Sequence, residues 1–290
     1  MPQVHKPPRA VLITGCSTGI GRCTAEGLAR RGYRVFATAR RHEDVAALNA
    51  LEGIEALHLE LRDPDSIARV VETVMERTGG KLYALFNNGG YGQPGAVEDI
   101  TRDTLREQFE TLVFGWHDLT RSVLPAMRAA GEGRIIQNSS VLGLVALPFR
   151  GAYNSAKFAI EGLSDTLRLE LHGSGVHICL VEPGPVLSAF RANAMAAFQR
   201  HVSVEGSHFQ THYEGMLARL NTQGPAAPGT LPPEAVLKKV IHALESDHPR
   251  ARYYVTWPTY LFGYLRRVLG TRALDWVLRK VSADELQRHR

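Results

Sequence analysis

Short runs rich in Val, Ile and Leu recur along this chain, each followed by a longer segment whose apolar residues fall at helical spacing. A strand buried on both faces reads as a nearly unbroken apolar run, and parallel neighbours need a crossover of a dozen or more residues between them. The alternation therefore implies repeated βα units in a doubly wound α/β fold around a parallel sheet. Strands are predicted over residues 10–14, 34–39, 54–60, 82–86, 133–139, 176–181 and 252–256, and helices over 19–31, 43–51, 64–78, 101–130, 151–173 and 233–247. Every connection but one is short. The stretch from Pro183 to Pro233 is too long for an ordinary loop and is read as a substrate flap over about 187–232. The chain thus divides into a flexible leader (1–8), one Rossmann-type domain (9–256) and a C-terminal helical extension (257–290).

Charge and cysteine usage remove several functional classes. The net charge of +5 is concentrated near the end, where residues 250–290 hold nine Lys/Arg against three Asp/Glu. The body is near neutral and offers no recognisable docking element, so no nucleic-acid partner is expected. The longest apolar stretches, 141–149 and 260–265, fall well short of the ~20 residues of a spanning helix, and the first nine residues contain no apolar signal core. A cytoplasmic protein is expected. Cys16, Cys23 and Cys179 are few, odd in number and without metal-ligand spacing, as suits free thiols in a reducing compartment. His201, His208 and His212 lie in the flap without a Cys or a convincing acidic third ligand; they read as solvated histidines, and no metal is expected.

Three motifs carry the chemistry. The first strand runs into Thr14-Gly15-Cys16-Ser17-Thr18-Gly19-Ile20-Gly21 and then a helix. Glycines there let backbone N–H groups approach a pyrophosphate at the positive end of the helix, and without a Gly-Lys-Ser/Thr the turn is not a triphosphate-binding loop. The second strand ends Thr38-Ala39-Arg40-Arg41, where a carboxylate would hold the ribose hydroxyls of NAD. A guanidinium suits a 2′-phosphate instead, which favours NADP over NAD, although an Arg pair at a strand end can also be merely solvated. The third is Tyr153-Asn154-Ser155-Ala156-Lys157, preceded by Ser139-Ser140. Four residues apart on a helix, the Lys157 ammonium can lie near the Tyr153 phenol and favour its phenolate, while Ser140 leaves the fifth strand placed to hold a reacting oxygen. By itself Tyr-x-x-x-Lys is common on ordinary helix surfaces.

Together, Thr14 to Gly21, Asn87-Asn88-Gly89-Gly90, Ser140, Tyr153/Lys157 and Pro183-Gly184-Pro185-Val186, in this order, closely resemble the short-chain dehydrogenase/reductase family over roughly residues 9–256. The likeness is greatest to the branch holding 17β-hydroxysteroid dehydrogenases, retinol dehydrogenases and bacterial aldehyde or ketone reductases. The resemblance implies a Rossmann sheet of order 3-2-1-4-5-6-7, hydride transfer between a nicotinamide and an alcohol/carbonyl pair, and a homodimer or homotetramer built through the long helices. It also implies site roles. Ser140 would hold the substrate oxygen, Tyr153 would be the acid/base, and Lys157 would bind the nicotinamide ribose and depress the tyrosine pKa. Gly15, Ser17, Thr18, Gly19, Ile20 and Gly21 would line the pyrophosphate, with Arg40 on the 2′-phosphate. Glu60 and Leu61 would border adenine, Asn87 and Gly89 would flank the ribose, and Val186 and Ser188, after Pro183 and Gly184, would meet the carboxamide.

The chain departs from the family pattern twice. Asn88-Gly89-Gly90 replaces the usual Asn-Ala-Gly, a change expected to loosen the turn. Phe109-Glu110-Thr111-Leu112-Val113-Phe114-Gly115 sets a leucine where the family has a catalytic asparagine, and its side chain can neither donate nor accept a hydrogen bond. Two functions follow: an NADP-dependent oxidoreductase acting on a small apolar alcohol, aldehyde or ketone, or an NADP-binding scaffold with little turnover. Residues 257–269 alternate aromatic anchors with a basic cluster, as in a helix packed on its own domain with snorkelling arginines or a segment in peripheral contact with a membrane.

Overall fold

The computed structural model describes residues 9–283 except 223 and 226. The first apolar runs form β1 (Ala10–Ile13), β2 (Arg34–Ala39) and β3 (Ile54–His58), and the later ones β4 (Leu82–Asn87), β5 (Gly133–Asn138), β6 (Val176–Glu182) and β7 (Arg252–Tyr254). All pairings are parallel, in the order β3-β2-β1-β4-β5-β6-β7 that the family resemblance implies. Side chains alternate across the pleat. Leu12, Leu85 and Ile135 enter one core layer, under α3 (Pro64–Thr78), α5 (Gly115–Ala130) and α6 (Gly151–Glu170), whereas Val11, Ile13 and Phe86 enter the other, under α1 (Gly19–Ala29), α2 (His42–Asn49) and α9 (Glu234–Glu245). Helix ends carry local signals: the Asp63 carboxylate accepts from Asp65 N–H, Pro64 opens α3, and Gly79 closes it in the left-handed region at φ 59°.

Two predicted elements come out differently. The single helix expected over 101–130 is α4 (Arg102–Phe109), a π-helical turn (Glu110–Phe114) and α5; the π turn adds a residue and re-aims the side chains around Leu112. The flap is not an irregular loop, because it contains α7 (Phe190–His201) and α8 (Gln210–Asn221). Phe198, Tyr213 and Met216 of these helices bury against Ala96 and Phe149, and the Tyr213 hydroxyl accepts from Ala96 N–H at 3.0 Å while bonding the Asp99 carboxylate. Scattered in sequence, these side chains give no helical stripe to read, and His212, expected to be solvated, packs tilted against Phe149 and edge-on to Phe209. The chain closes with α10 (Trp257–Val268) and α11 (Thr271–Val281). Among the described residues no helix is long and apolar enough to cross a membrane, and all three cysteines are free thiols.

Candidate active site

The site gathers at the C-terminal edge of the sheet, where ligands of open α/β folds collect. Gly15 leaves β1 at φ +70°, and a Cβ added to it would stand 2.5 Å from Gly89 Cα. A Cβ on Gly21 would lie 2.1 Å from the Gly15 carbonyl oxygen, so any side chain at either position would force the turn open. Thr14 pins this turn to the next one: its hydroxyl accepts from Asn88 N–H (2.9 Å) and Gly89 N–H (2.8 Å), and the Asn88 amide donates to Thr14 O (2.9 Å). Gly89 O in turn accepts from Trp116 Nε1 at 2.9 Å. The Asn88-Gly89-Gly90 turn is therefore held on both sides rather than loosened, because contacts from β1 and α5 supply the rigidity that a side chain at Gly89 would have supplied.

From this turn a polar chain runs to the lysine. Asn138 at the end of β5 donates to the Asn88 side-chain oxygen at 2.9 Å, and Asn138 O accepts from Lys157 Nζ at 2.7 Å. Lys157 is buried, with its ammonium 4.3 Å above the Trp116 ring and 5.5 Å from the centre of the Tyr153 ring. Burial pulls its pKa down to about 7, against the opposing pull of Glu161 one turn further along α6. Ser140 begins a short 3-10 turn, its hydroxyl accepting from Leu142 N–H at 3.1 Å. It also favours the Tyr153 phenolate, but burial wins and pushes the phenol upward. The pKa depression expected from Lys157 is absent in the free chain, since the same dry surroundings penalise both charged forms.

Behind these side chains lies an ionic brace. Arg252 of β7 bonds Glu161 and, at 2.6 Å each, Glu182 and Asp165, and Glu161 also accepts from the Ser139 hydroxyl. Burial pushes both Glu161 and Glu182 upward. The brace joins the residue beside Ser140, the helix carrying Tyr153 and Lys157, and the strand end leading into Pro183. Val141 N–H donates to Pro183 O at 2.8 Å, fixing the same two strand exits.

The other expected residues divide. Ser17, Thr18 and Gly19 lie at the start of α1, partly or fully exposed, and Ser188 faces Gly19 so closely that a Cβ there would come within 2.8 Å of Ser188 Cβ. Val186 pairs with Leu231 at the base of the flap, and Ile20 packs against the core. Arg40 is exposed at the end of β2 and has no ion pair among the described residues, whereas Arg41 is tied to Asp44 at 2.9 Å. Leu61 is buried, and Glu60 binds the Arg62 side chain at 3.4 Å. Asn87 does not join the groove: its side chain is fully buried and donates to Thr120 Oγ1 at 3.1 Å, because the pleat turns it toward α5. Sequence reasoning missed Trp116 and Phe190. Phe190 stands edge-on to Tyr153, ring centres 5.4 Å apart, with its tip over Gly92.

A glycine-tight βα turn facing a serine, a tyrosine and a buried lysine across one sheet edge defines an oxidoreductase of the Rossmann class. A model of the short chain dehydrogenase family matches residues 9–198. The chain is 40% identical over 270 residues to an uncharacterized oxidoreductase of Escherichia coli (strain K12), YbbO, covering 93% of this chain and 94% of that one. It is 34% identical over 258 residues to human 17-beta-hydroxysteroid dehydrogenase type 1, covering 85% and 77%. A solved short-chain dehydrogenase from Streptomyces avermitilis superposes with a TM-score of 0.74 at 29% identity, covering 96% and 97%. The chain belongs to the short chain dehydrogenase family and is an oxidoreductase.

Proposed function

We propose that the protein is an NADP-dependent oxidoreductase that interconverts an apolar alcohol with its aldehyde or ketone. The observation that carries this reading is the convergence of Tyr153, Ser140 and Lys157 beside a turn in which Gly15 and Gly21 leave no room for side chains. Such a cradle fits a pyrophosphate, and the free Arg40 guanidinium fits a 2′-phosphate. Gly15, Ser17, Thr18, Gly19, Ile20 and Gly21 would hold the nucleotide's phosphates. Val186 and Ser188 would stand beside its carboxamide, with Gly89 by the ribose. When bound, the nicotinamide supplies or accepts the hydride.

The chain's own residues do the rest. The Ser140 hydroxyl donates to the substrate oxygen and orients it, and Tyr153, a neutral phenol at neutral pH, carries the proton that this oxygen gains during reduction. Lys157, held by Asn138 O and the Trp116 face, favours the phenolate left behind when protonated. Phe190 sets an apolar ring against the phenol, which suits an apolar substrate and helps exclude water. Names of relatives agree with this class: one is a human 17-beta-hydroxysteroid dehydrogenase and another a murine retinol dehydrogenase. Exposed Leu105, Phe114, Leu163 and Leu169 on and beside α4, α5 and α6 support a homo-oligomer formed through these helices.

NADPH consumption against a panel of apolar aldehydes, ketones and steroids tests the proposal. Turnover of at least one class, with NADPH preferred to NADH, is expected. NADPH binding without turnover would favour the scaffold reading, which rests on Leu112.

A further inference from the structure

The C-terminal helices carry a second apolar face that the fold uses only at one edge, where Tyr260 stands edge-on to Tyr254 at 5.3 Å and Trp257 lies beside Gly229. Phe262 and Leu265 of α10 and Leu274, Val277 and Leu278 of α11 pack with Val145, in the segment that follows Ser140. Trp257, Tyr260, Leu261, Tyr264 and Val268 recur at spacings of three, one, three and four, which sets them on one side of α10. Each of these five is between 41% and 64% exposed. On α11, Arg272, Trp276, Arg279 and Lys280 share a face by the same spacing, and Trp276 is 58% exposed. Because both helices turn their inner sides to one cluster, their outer sides look away from the domain.

We infer that this outer face binds the surface of an anionic lipid bilayer. Five cations, Arg266, Arg267, Arg272, Arg279 and Lys280, stand on these two helices against one acid, Asp275. Arg266 is engaged with Leu144 O and the Phe158 ring, while Arg267, Arg272, Arg279 and Lys280 have no ion pair among the described residues. Arg267 falls on the Tyr260/Tyr264 side of α10, and Lys280 reaches over the Trp276 ring at 5.9 Å. Tryptophan and tyrosine flanked by unpaired cations match the headgroup layer of an anionic membrane, where rings sit at the boundary and Lys/Arg meet lipid charge. A second copy of the chain is a poorer occupant, since twofold pairing of this face would set the same cations against one another.

The protein's tryptophans make the test direct. Trp116 is fully buried, so the two exposed tryptophans, Trp257 and Trp276, both report on this face. The full-length protein should float with vesicles containing about 30% phosphatidylglycerol and not with phosphatidylcholine alone, and salt should weaken binding. Tryptophan emission should shift to the blue on anionic vesicles. The charge-reversal pair Arg267→Glu/Arg279→Glu should reduce binding by roughly tenfold or more, while NADPH binding stays unchanged. The ring-removal pair Tyr264→Ser/Trp276→Ser, both at exposed positions, should also abolish flotation. Failure to float with anionic vesicles, or flotation unaffected by either pair, would overturn the inference. So would a solution mass that falls by half in the Tyr264→Ser/Trp276→Ser protein, because that result would seat a second copy on the face.

Discussion

Replacing Leu112 by asparagine should raise turnover and lower stability together. Leu112 is almost fully buried at the centre of the π turn, in one core layer with Trp116, and its Cδ2 lies 2.3 Å from where a Cβ on Gly90 would be. Losing that burial costs about 1.5–3 kcal/mol. An amide without partners there adds about 1–3 kcal/mol, so a Leu112→Asn protein should be roughly 1.5–6 kcal/mol less stable, the lower figure applying if its amide finds the nearby turn. Because domains are stable by only about 5–15 kcal/mol, urea titration must accompany every rate.

The expected gain has a different origin. Around Lys157 Nζ stand Asn138 O and the apolar rings of Trp116 and Tyr153, so proton return to Tyr153 has little polar support on this side. An asparagine at position 112 supplies both donor and acceptor. Acid–base catalysis is worth about 10²–10⁴-fold, so even partial support should appear as a several-fold rise in kcat with cofactor affinity unchanged. The solvent deuterium isotope effect on kcat should also shrink. A folded Leu112→Asn protein with unchanged turnover and an unchanged isotope effect would refute the reasoning and leave Leu112 a packing residue only.

Other perturbations separate the roles of single residues. Tyr153→Phe keeps the ring against Phe190 and removes the proton, so kcat should fall at least ~100-fold while NADPH titrations stay nearly the same; near-normal turnover would exclude the assigned acid. Arg40→Ala should erase about 1–3 kcal/mol of preference for NADPH over NADH, and equal affinities in the unmodified protein would defeat that assignment. Lys157 falls from its ordinary 10.5 to about 7 on folding, so between those values the unfolded chain holds a proton that the folded chain has lost. Stability from this group should therefore rise with pH across that window, and Lys157→Met should flatten the rise in urea titrations at about pH 7 and 9.5; parallel slopes would contradict it. Phe190→Ala, which uncovers Tyr153, should raise KM for apolar substrates more than it lowers kcat, and an unchanged KM would remove Phe190 from the substrate surface.

What the chain discloses before folding depends on how far apart the interacting residues lie in sequence. The strands are legible because each apolar run is local and the turns carry their own glycines, and the same locality exposes Gly15 to Gly21 and the Tyr153/Lys157 spacing, whereas the sheet order follows from the family resemblance that these motifs carry. Trp116 is invisible as a partner of Lys157, since 41 residues separate them and the indole is set over the ammonium by α5 and by its hydrogen bond to Gly89 O. In sequence Arg252 is simply part of a strand, and only folding brings it to Glu161 and Glu182, 91 and 70 residues away. The direction of the Asn87 side chain is hidden for a related reason. Of two adjacent asparagines either could face the groove, and strand pairing decides that Asn88 does and Asn87 does not. Local spacing therefore identifies the candidate acid/base pair, whereas the groups that set its protonation are supplied by distant strands and helices. That division explains why the phenol and ammonium could be named from sequence while the direction of the Tyr153 shift could not: it depends on how much water α6, the flap and Trp116 together exclude.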